Sequence, residues 1–186
     1  MTSQKQRNIE AMLEIFDVGG DGYLTAADFA AHAESTCGAL RLPAGSPHWT
    51  TIHTALDAWW DHLVAHGGTQ AHADGSAIPT DECATIMRDR LVDDDAFFAA
   101  TVGPIADTVF RVLDADGDDA ISTDEYVAVY LASGLTREIA VEAFTKIDVD
   151  GDGRIDRGEF VAVVRDAFTS ADPDSPGAWF FGVRPD

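Results

Sequence analysis

The sequence predicts an all-α fold of four helix-loop-helix units, which associate in two pairs through short antiparallel ribbons between paired loops. Three observations predict this fold class. Apolar residues recur at helical spacing, and the first segment carries one such stripe: Ile9, Met12, Leu13 and Phe16. Acidic twelve-residue loops follow these segments. An apolar content of 46% in 186 residues supplies a sizeable core, so we expect two lobes in one compact globule.

The first loop, residues 17–28, follows that helix and is altered at two ligand positions. Five candidate metal ligands remain: Asp17, Asp21, the carbonyl of Tyr23, Thr25 and Asp28. Gly19 has no side-chain oxygen at the third position, and the twelfth position holds an Asp where the longer Glu is usual. A shorter carboxylate favours a six-coordinate site, which suits magnesium. We predict a working site with weak preference for calcium over magnesium, and the alternative is a silent loop.

The second loop, residues 71–82, lies after a predicted helix over residues 52–66, whose Trp59 and Trp60 we assign to the core. Its first, third and fifth positions are Ala71, Ala73 and Gly75, which cannot hold a cation. Only the apolar eighth position, Ile78, and the twelfth, Glu82, keep the pattern. Paired loops face each other through their eighth residues. We therefore predict a silent, structural loop whose Ile78 lies opposite Leu24.

The third loop, residues 114–125, has an oxygen donor at every ligand position. The predicted ligands are Asp114, Asp116, Asp118, the carbonyl of Ala120, Ser122 and Glu125. Asp119 replaces the usual glycine at the turn, where Asp tolerates a positive φ better than most residues. Ser122 and Glu125 also form the pattern of a capping box for the following helix. We predict a functional site.

The fourth loop, residues 148–159, is complete. Hard divalent cations take oxygen ligands, and this loop supplies them from Asp148, Asp150, Asp152, the carbonyl of Arg154, Asp156 and Glu159. Gly153 stands at the sharp turn, where the backbone needs φ > 0. The preceding helix is expected to open at Thr136.

The domain prediction divides the chain into residues 1–95, residues 96–170 and an apolar C-terminal tail, residues 171–186. The first part holds a competent and a degenerate unit, and the second holds two competent units. Residues 83–91 are expected as a helix and residues 92–95 as a connector or helix start. The tail carries Trp179, Phe180 and Phe181, and apolar side chains of this kind predict packing on the core.

The formal charge of −21, from 12 basic and 33 acidic residues, argues against nucleic acid and anionic membranes as partners and favours cations. No apolar run reaches the roughly 18 residues of a membrane span, and the N-terminus has no signal-peptide pattern. We expect a monomeric, cytoplasmic, non-enzymatic protein with Cys37 and Cys83 as packed thiols. A transition-metal site at His62 and His66 is an open alternative, although it lacks a third ligand.

Four units, with the first, third and fourth competent and the second degenerate, resemble the EF-hand family, in particular sarcoplasmic calcium-binding proteins and calerythrin. That resemblance implies calcium buffering at three sites, some able to hold magnesium. Coelenterazine photoproteins and luciferin-binding proteins share the pattern, and they would require a large internal cavity. A calcium sensor with an unknown protein partner is another alternative, but sensors expose a Met-rich groove and this chain has three methionines.

Overall fold

The computed structural model describes residues 4–67, 69–72, 75–91, 93–132, 136–170, 172 and 175–179. These residues are mostly helical, and the strands form two small antiparallel sheets. The internal contacts divide the chain into unit 1, Met1–Ile105, and unit 2, Ala106–Asp186. The division falls within helix α6, Val102–Leu113.

Unit 1 alternates helices with short strands. Its elements are α1 Gln4–Phe16, β1 Tyr23–Thr25, α2 Ala26–Ala39, α3 Pro47–His66, β2 Gln70–His72, β3 Gly75–Pro79, α4 Thr80–Ile86 and α5 Asp95–Ala100. A π-helical turn, Met87–Leu91, continues α4. The side chain of Asp94 accepts a hydrogen bond from the N–H of Ala96 and caps α5, so the predicted helix start at this acidic run is confirmed.

Polar caps set the starts of two helices in unit 1, and α3 begins before residue 52, where its apolar stripe predicted the start. Thr25 forms a capping box with Asp28, which starts α2 at Ala26. Ser46 accepts from the N–H of Trp49 at 3.2 Å, and Pro47 follows in the first turn of α3.

The ribbon of unit 1 has the predicted register. β1 pairs antiparallel with β3, and Leu24 lies opposite Ile78. Both side chains are fully buried, so the second loop braces the first through this apolar pair.

The core of unit 1 absorbs the aromatic residues of α3. Trp59 is 3% exposed, and its indole N–H donates to Sδ of Met87 at 3.2 Å. Its ring also lies against Phe16 and Phe97, with centroid distances of 5.5 Å in each case. Trp60 is half-buried beside Phe29. The predicted core role of these tryptophans is confirmed. Cys37 and Cys83 are free, buried thiols, as expected.

Unit 2 contains the two complete loops. After α6 come β4 Ala120–Ser122, α7 Thr123–Ala132, α8 Arg137–Ile147, β5 Arg154–Asp156, α9 Arg157–Thr169 and a 3-10 turn, Pro176–Trp179. Thr136 caps α8, as predicted, and accepts from the N–H of Ile139 at 3.4 Å. β4 pairs antiparallel with β5, and the fully buried Ile121 and Ile155 face each other.

The described part of the C-terminal tail contacts α8 and α9. The N–H of Gly177 donates to Oδ2 of Asp166 at 2.7 Å, and this glycine lies directly on the α9 backbone. A Cβ at position 177 would stand 2.2 Å from the backbone nitrogen of Ala167. The side chain of Trp179, together with Phe180 and Phe181, lies outside the described residues.

Candidate metal centres

The third and fourth loops each bring three carboxylates together. Ligand oxygens of Asp114, Asp116 and Asp118 lie within 4.8 Å of one another. The same is true of the fourth-loop aspartates: Asp148, Asp150 and Asp152. Among the described residues, these are the groups of three or more His, Cys, Asp or Glu side chains with such spacing.

Backbone amides orient the first carboxylate of the third loop. Oδ1 of Asp114 accepts from the N–H groups of Gly117 at 2.8 Å and Asp118 at 3.0 Å. Oδ2 accepts from the N–H of Asp119 at 3.1 Å. Asp119 makes this contact with φ = 66°, so the expected left-handed conformation of a non-glycine residue is observed. The amides therefore hold Asp114 towards the centre of the loop.

Glu125 closes the third loop from its end. Oε1 accepts from the N–H groups of Ala115 at 2.9 Å and Asp116 at 3.3 Å, and Oε2 accepts from the N–H and hydroxyl of Ser122. Burial alone would raise the pKa of Glu125, but these donors stabilise the carboxylate and the net pKa is lowered. The N–H of Glu125 donates back to Ser122 at 3.3 Å, which confirms the predicted capping box.

The fourth loop repeats this arrangement. Oδ2 of Asp148 accepts from the N–H of Gly153 at 2.9 Å, at φ = 87°. Oε1 of Glu159 accepts from Val149 at 3.1 Å and from Asp150 at 3.3 Å. Both loops thus hold their twelfth-position glutamate across the loop by the amides of the second and third positions.

The remaining predicted ligands lie at the ends of the ribbon. Ala120 and Arg154, whose carbonyls we predicted as ligands, begin β4 and β5. Ser122 and Asp156 end these strands and cap the helices that follow; Asp156 accepts from the N–H of Glu159 at 2.8 Å. The ribbon therefore fixes the seventh and ninth positions of both loops together.

The first loop is closed less completely. Asp17 accepts from the N–H groups of Asp21 at 3.2 Å and Gly22 at 2.9 Å, as in the other loops. In the described part of the chain, Oδ2 of Asp28 accepts at the ribbon end, from the N–H and hydroxyl of Thr25. The N–H of Val18 donates instead to the carbonyl of Phe16 at 2.8 Å. Tyr23, which begins β1, offers its carbonyl at the seventh position.

The second loop has a strand where the other loops have their ligand turn. Ala71 pairs with Ser76 and Gln70 with Ala77 in the β2–β3 hairpin. Sequence periodicity did not predict this hairpin, because three residues are too few to reveal alternation. Ala73 lies outside the described residues. The histidine alternative gains no ligand: His62 and His66 have ring centroids 6.3 Å apart and belong to none of the described groups of three metal-ligating side chains.

One interaction of the site was missed by the sequence reasoning. The guanidinium of Arg154 donates to Oδ2 of Asp118, across from the fourth loop to the third. This hydrogen bond is the main cause that lowers the pKa of Asp118 and raises the pKa of Arg154. The sequence feature that could have indicated this contact is the arginine at the seventh position of the fourth loop, because ribbon pairing places that position beside the acidic ligands of the third loop.

The donor set of the third and fourth loops fits a hard divalent cation. All the side-chain ligand atoms are oxygens, and most of them are charged. Hydrogen bonds from backbone amides hold them in place before a cation binds. A bound calcium ion would supply the positive charge that offsets the repulsion within each group of aspartates.

The comparisons with known proteins agree with this geometry. Residues 106–165 match the family model of an EF-hand domain pair. The chain is 29% identical to calerythrin of Saccharopolyspora erythraea over 130 aligned residues. The alignment covers 69% of this chain and 71% of calerythrin.

Two solved structures extend the similarity over most of the chain. A Streptomyces coelicolor calcium-binding protein, described with prokaryotic calcium-mediated regulation, is 26% identical and has a TM-score of 0.61 over 89% of this chain and 98% of that protein. An amphioxus sarcoplasmic calcium-binding protein has a TM-score of 0.69 at 15% identity, over 98% of both chains, and shows the fold. The described helices include none with the length and apolar character needed to cross a membrane. The chain thus carries an EF-hand domain pair over residues 106–165, is similar to calerythrin, and has the fold of the sarcoplasmic calcium-binding proteins.

Proposed function

We propose that this protein is a cytoplasmic, monomeric and non-enzymatic calcium buffer and transporter with three divalent-ion sites, in the first, third and fourth of four EF-hand units. The observation that carries the proposal is the pair of aspartate groups with ligand oxygens within 4.8 Å, each closed by a glutamate that backbone amides hold in place. Oxygen-only sites of this kind select calcium over transition metals.

The first loop contributes a weaker site that magnesium can share. Its support is the pair Asp17 and Asp21, held by loop amides as in the other two sites, and the ribbon that buries Leu24 against Ile78. The Asp28 carboxylate accepts hydrogen bonds at the ribbon end, from Thr25, and this position favours a site nearer six-coordinate. The second loop acts as a structural brace.

Buffering is favoured over sensing by the methionines. Sensor units expose a Met-rich groove when calcium binds. Here Met12 is 6% exposed and Met87 is fully buried beneath the Trp59 indole. We expect calcium to stabilise a closed form.

A calcium sensor is the second candidate, because the Streptomyces protein at 26% identity is described with calcium-mediated regulation. The two functions differ in the surface that calcium exposes. We expect little change in ANS fluorescence when calcium is added to the folded protein. A large rise would favour the sensor and a protein partner.

The photoprotein alternative requires an enclosed, apolar cavity. Unit 1 has a groove of about 470 Å³, but it is open, and charged side chains contribute much of its wall: Glu10, Glu14, Asp17, Asp81 and Arg88. This groove does not favour a large apolar ligand.

Calorimetric titration tests the three-site proposal. We expect three calcium ions per chain, with the weakest site competed by millimolar magnesium. Glu159→Gln should remove one site, because Glu159 closes the fourth loop. The matched control is Glu82→Gln, at the same position of the second loop, which should leave three sites. A fourth ion, or a site lost in the control, would contradict the proposal.

Calcium removal tests the link to stability. A ligand that binds only the native state stabilises it by RT ln(1 + [L]/Kd), about 4 kcal/mol per site at a thousandfold excess over Kd. EDTA should therefore lower the Tm strongly. A Tm that EDTA leaves unchanged would refute the proposed coupling.

A further inference from the structure

Arg154 belongs to both loops of unit 2. Its backbone carbonyl stands at the seventh position of the fourth loop, whereas its guanidinium donates to Oδ2 of Asp118, the fifth-position residue of the third loop. The ribbon makes this contact, because Arg154 lies opposite Ser122, the residue that ends β4. The side chain can be replaced without removing the carbonyl.

The equivalent aspartates of the two loops therefore differ. Oδ1 of Asp118 accepts from the N–H of Ala120 at 3.1 Å, and the guanidinium engages Oδ2, so both oxygens are bonded. Asp152 accepts from the N–H of Arg154 at 2.8 Å through Oδ1, and among the hydrogen bonds of the described residues none reaches its Oδ2. Oδ2 of Asp152 in the fourth loop is therefore available to a cation, whereas the equivalent Oδ2 of Asp118 in the third loop is occupied by the Arg154 guanidinium.

The guanidinium also lies in the field of neighbouring ligands. After Asp118, the carboxylates of Asp116 and Asp152 contribute to the raised pKa of Arg154. The Arg154 and Asp118 side chains are 45% and 42% exposed, so solvent screens the pair and a cation can displace it.

We propose that Arg154 competes with a divalent cation for Asp118 and thereby lowers the affinity of the third loop relative to the fourth. The inference rests on the proposed function, since it assumes that both loops bind calcium. A cation that takes Oδ2 must displace the guanidinium or share this oxygen with it, and a cation that takes Oδ1 binds beside a positive charge. An exposed ion pair of this kind changes an equilibrium about two- to fivefold. The nearby positive charge adds repulsion, and we expect a combined effect of about three- to tenfold.

The test is a calcium titration of the ¹⁵N-labelled full chain, followed at the amides of Gly117 in the third loop and Gly151 in the fourth. Arg154→Gln should lower the ratio of third-loop Kd to fourth-loop Kd about three- to tenfold. Arg157→Gln is the matched control, because Arg157 pairs with Asp107 at 2.5 Å, outside both loops. The control should keep the native ratio.

Salt and a conservative variant distinguish competition from a structural role. The difference between native protein and Arg154→Gln should shrink in 1 M KCl, where the Debye length is about 3 Å. Arg154→Lys, which keeps the charge, should stay closer to the native ratio. If Arg154→Gln and Arg157→Gln have the same ratio of third-loop Kd to fourth-loop Kd while Gly117 still responds to calcium, the inference is wrong and the proposed function still stands. A native Gly117 amide that ignores calcium would overturn the proposed function of the third loop and this inference with it.

Discussion

Lengthening one side chain should convert the weakest predicted site into a calcium-selective one. Asp28 stands where the third and fourth loops have Glu125 and Glu159, and it is shorter by one methylene, about 1.5 Å. The two glutamates accept from second- and third-position amides at 2.9 to 3.3 Å. Within the described part of the chain, the Asp28 carboxylate instead accepts from the N–H and hydroxyl of Thr25. Asp28→Glu should let the carboxylate reach across the loop.

The magnitude follows from the bonds gained. Two hydrogen bonds to an ionised, half-buried carboxylate contribute about 1.5 to 3 kcal/mol together. They hold the glutamate over the loop before calcium binds, so less ordering is required on binding. At 1.4 kcal/mol per tenfold, the calcium Kd of the first loop should fall about 10- to 100-fold. Magnesium gains less, because it does not use the extra oxygen.

The assay is a calcium titration of the Gly22 amide by NMR, with and without millimolar magnesium. Glu159→Asp is the reverse change, and it should weaken calcium binding at Gly151 by a similar factor. A calcium Kd at Gly22 that stays within threefold of the native value in Asp28→Glu would refute the geometric reasoning. Native first-loop binding that ignores millimolar magnesium would refute it as well.

Three further predictions concern stability. Ile78→Ala empties a fully buried position of the ribbon and should lower the free energy of unfolding by about 2 to 5 kcal/mol. The control Ile15→Ala, at a side chain that is 61% exposed, should change this free energy by less than about 0.5 kcal/mol. Equal effects of the two variants in urea unfolding would contradict the prediction. Gly177→Ala places a Cβ 2.2 Å from the Ala167 nitrogen, and it should lower the free energy of unfolding by about 1 to 3 kcal/mol by displacing the 3-10 turn from α9. The control Gly38→Ala, which has open space around it in α2, should be neutral or stabilising. A neutral Gly177→Ala would show that the tail is not docked on α9. Burial lowers the pKa of His32, which stacks on Phe16 at 4.1 Å, so its contribution to stability is present above the unfolded pKa of 6.5 and is lost as pH falls below it. The unfolding free energy of His32→Gln should therefore decline less between pH 7.5 and 5.5 than that of the native protein, and parallel declines would refute the assignment.

The sequence predicted most of the helices and the ribbon register, because these depend on local signals. Apolar spacing located α1 and α3, and the matched eighth positions predicted Leu24 opposite Ile78. The start of α3 at Pro47 was missed, because the polar cap Ser46 sets it and the apolar stripe begins only at residue 52. The alternation needed to reveal a strand is absent from β2, so the hairpin in the second loop was not expected.

The loop spacing predicted which carboxylates lie together, since a twelve-residue turn with fixed caps has few shapes. The spacing alone did not show that Arg154 reaches Asp118, because that contact depends on the pairing of two segments distant in sequence. The shorter side chain of Asp28 did predict less reach, and the structure adds that its carboxylate bonds to Thr25 while the N–H of Val18 donates to the carbonyl of Phe16. Side-chain reach across a loop is a three-dimensional property of the backbone.

The β2–β3 hairpin should make part of the protein independent of metal. In the third loop, the first and sixth positions are joined by Asp114, a charge that repels its neighbours until a cation binds. In the second loop, the same two positions, Ala71 and Ser76, are joined by strand pairing and carry no charge. Amide hydrogens of β3 should therefore stay protected from exchange with D₂O after calcium is removed, while those of β4 and β5 exchange faster.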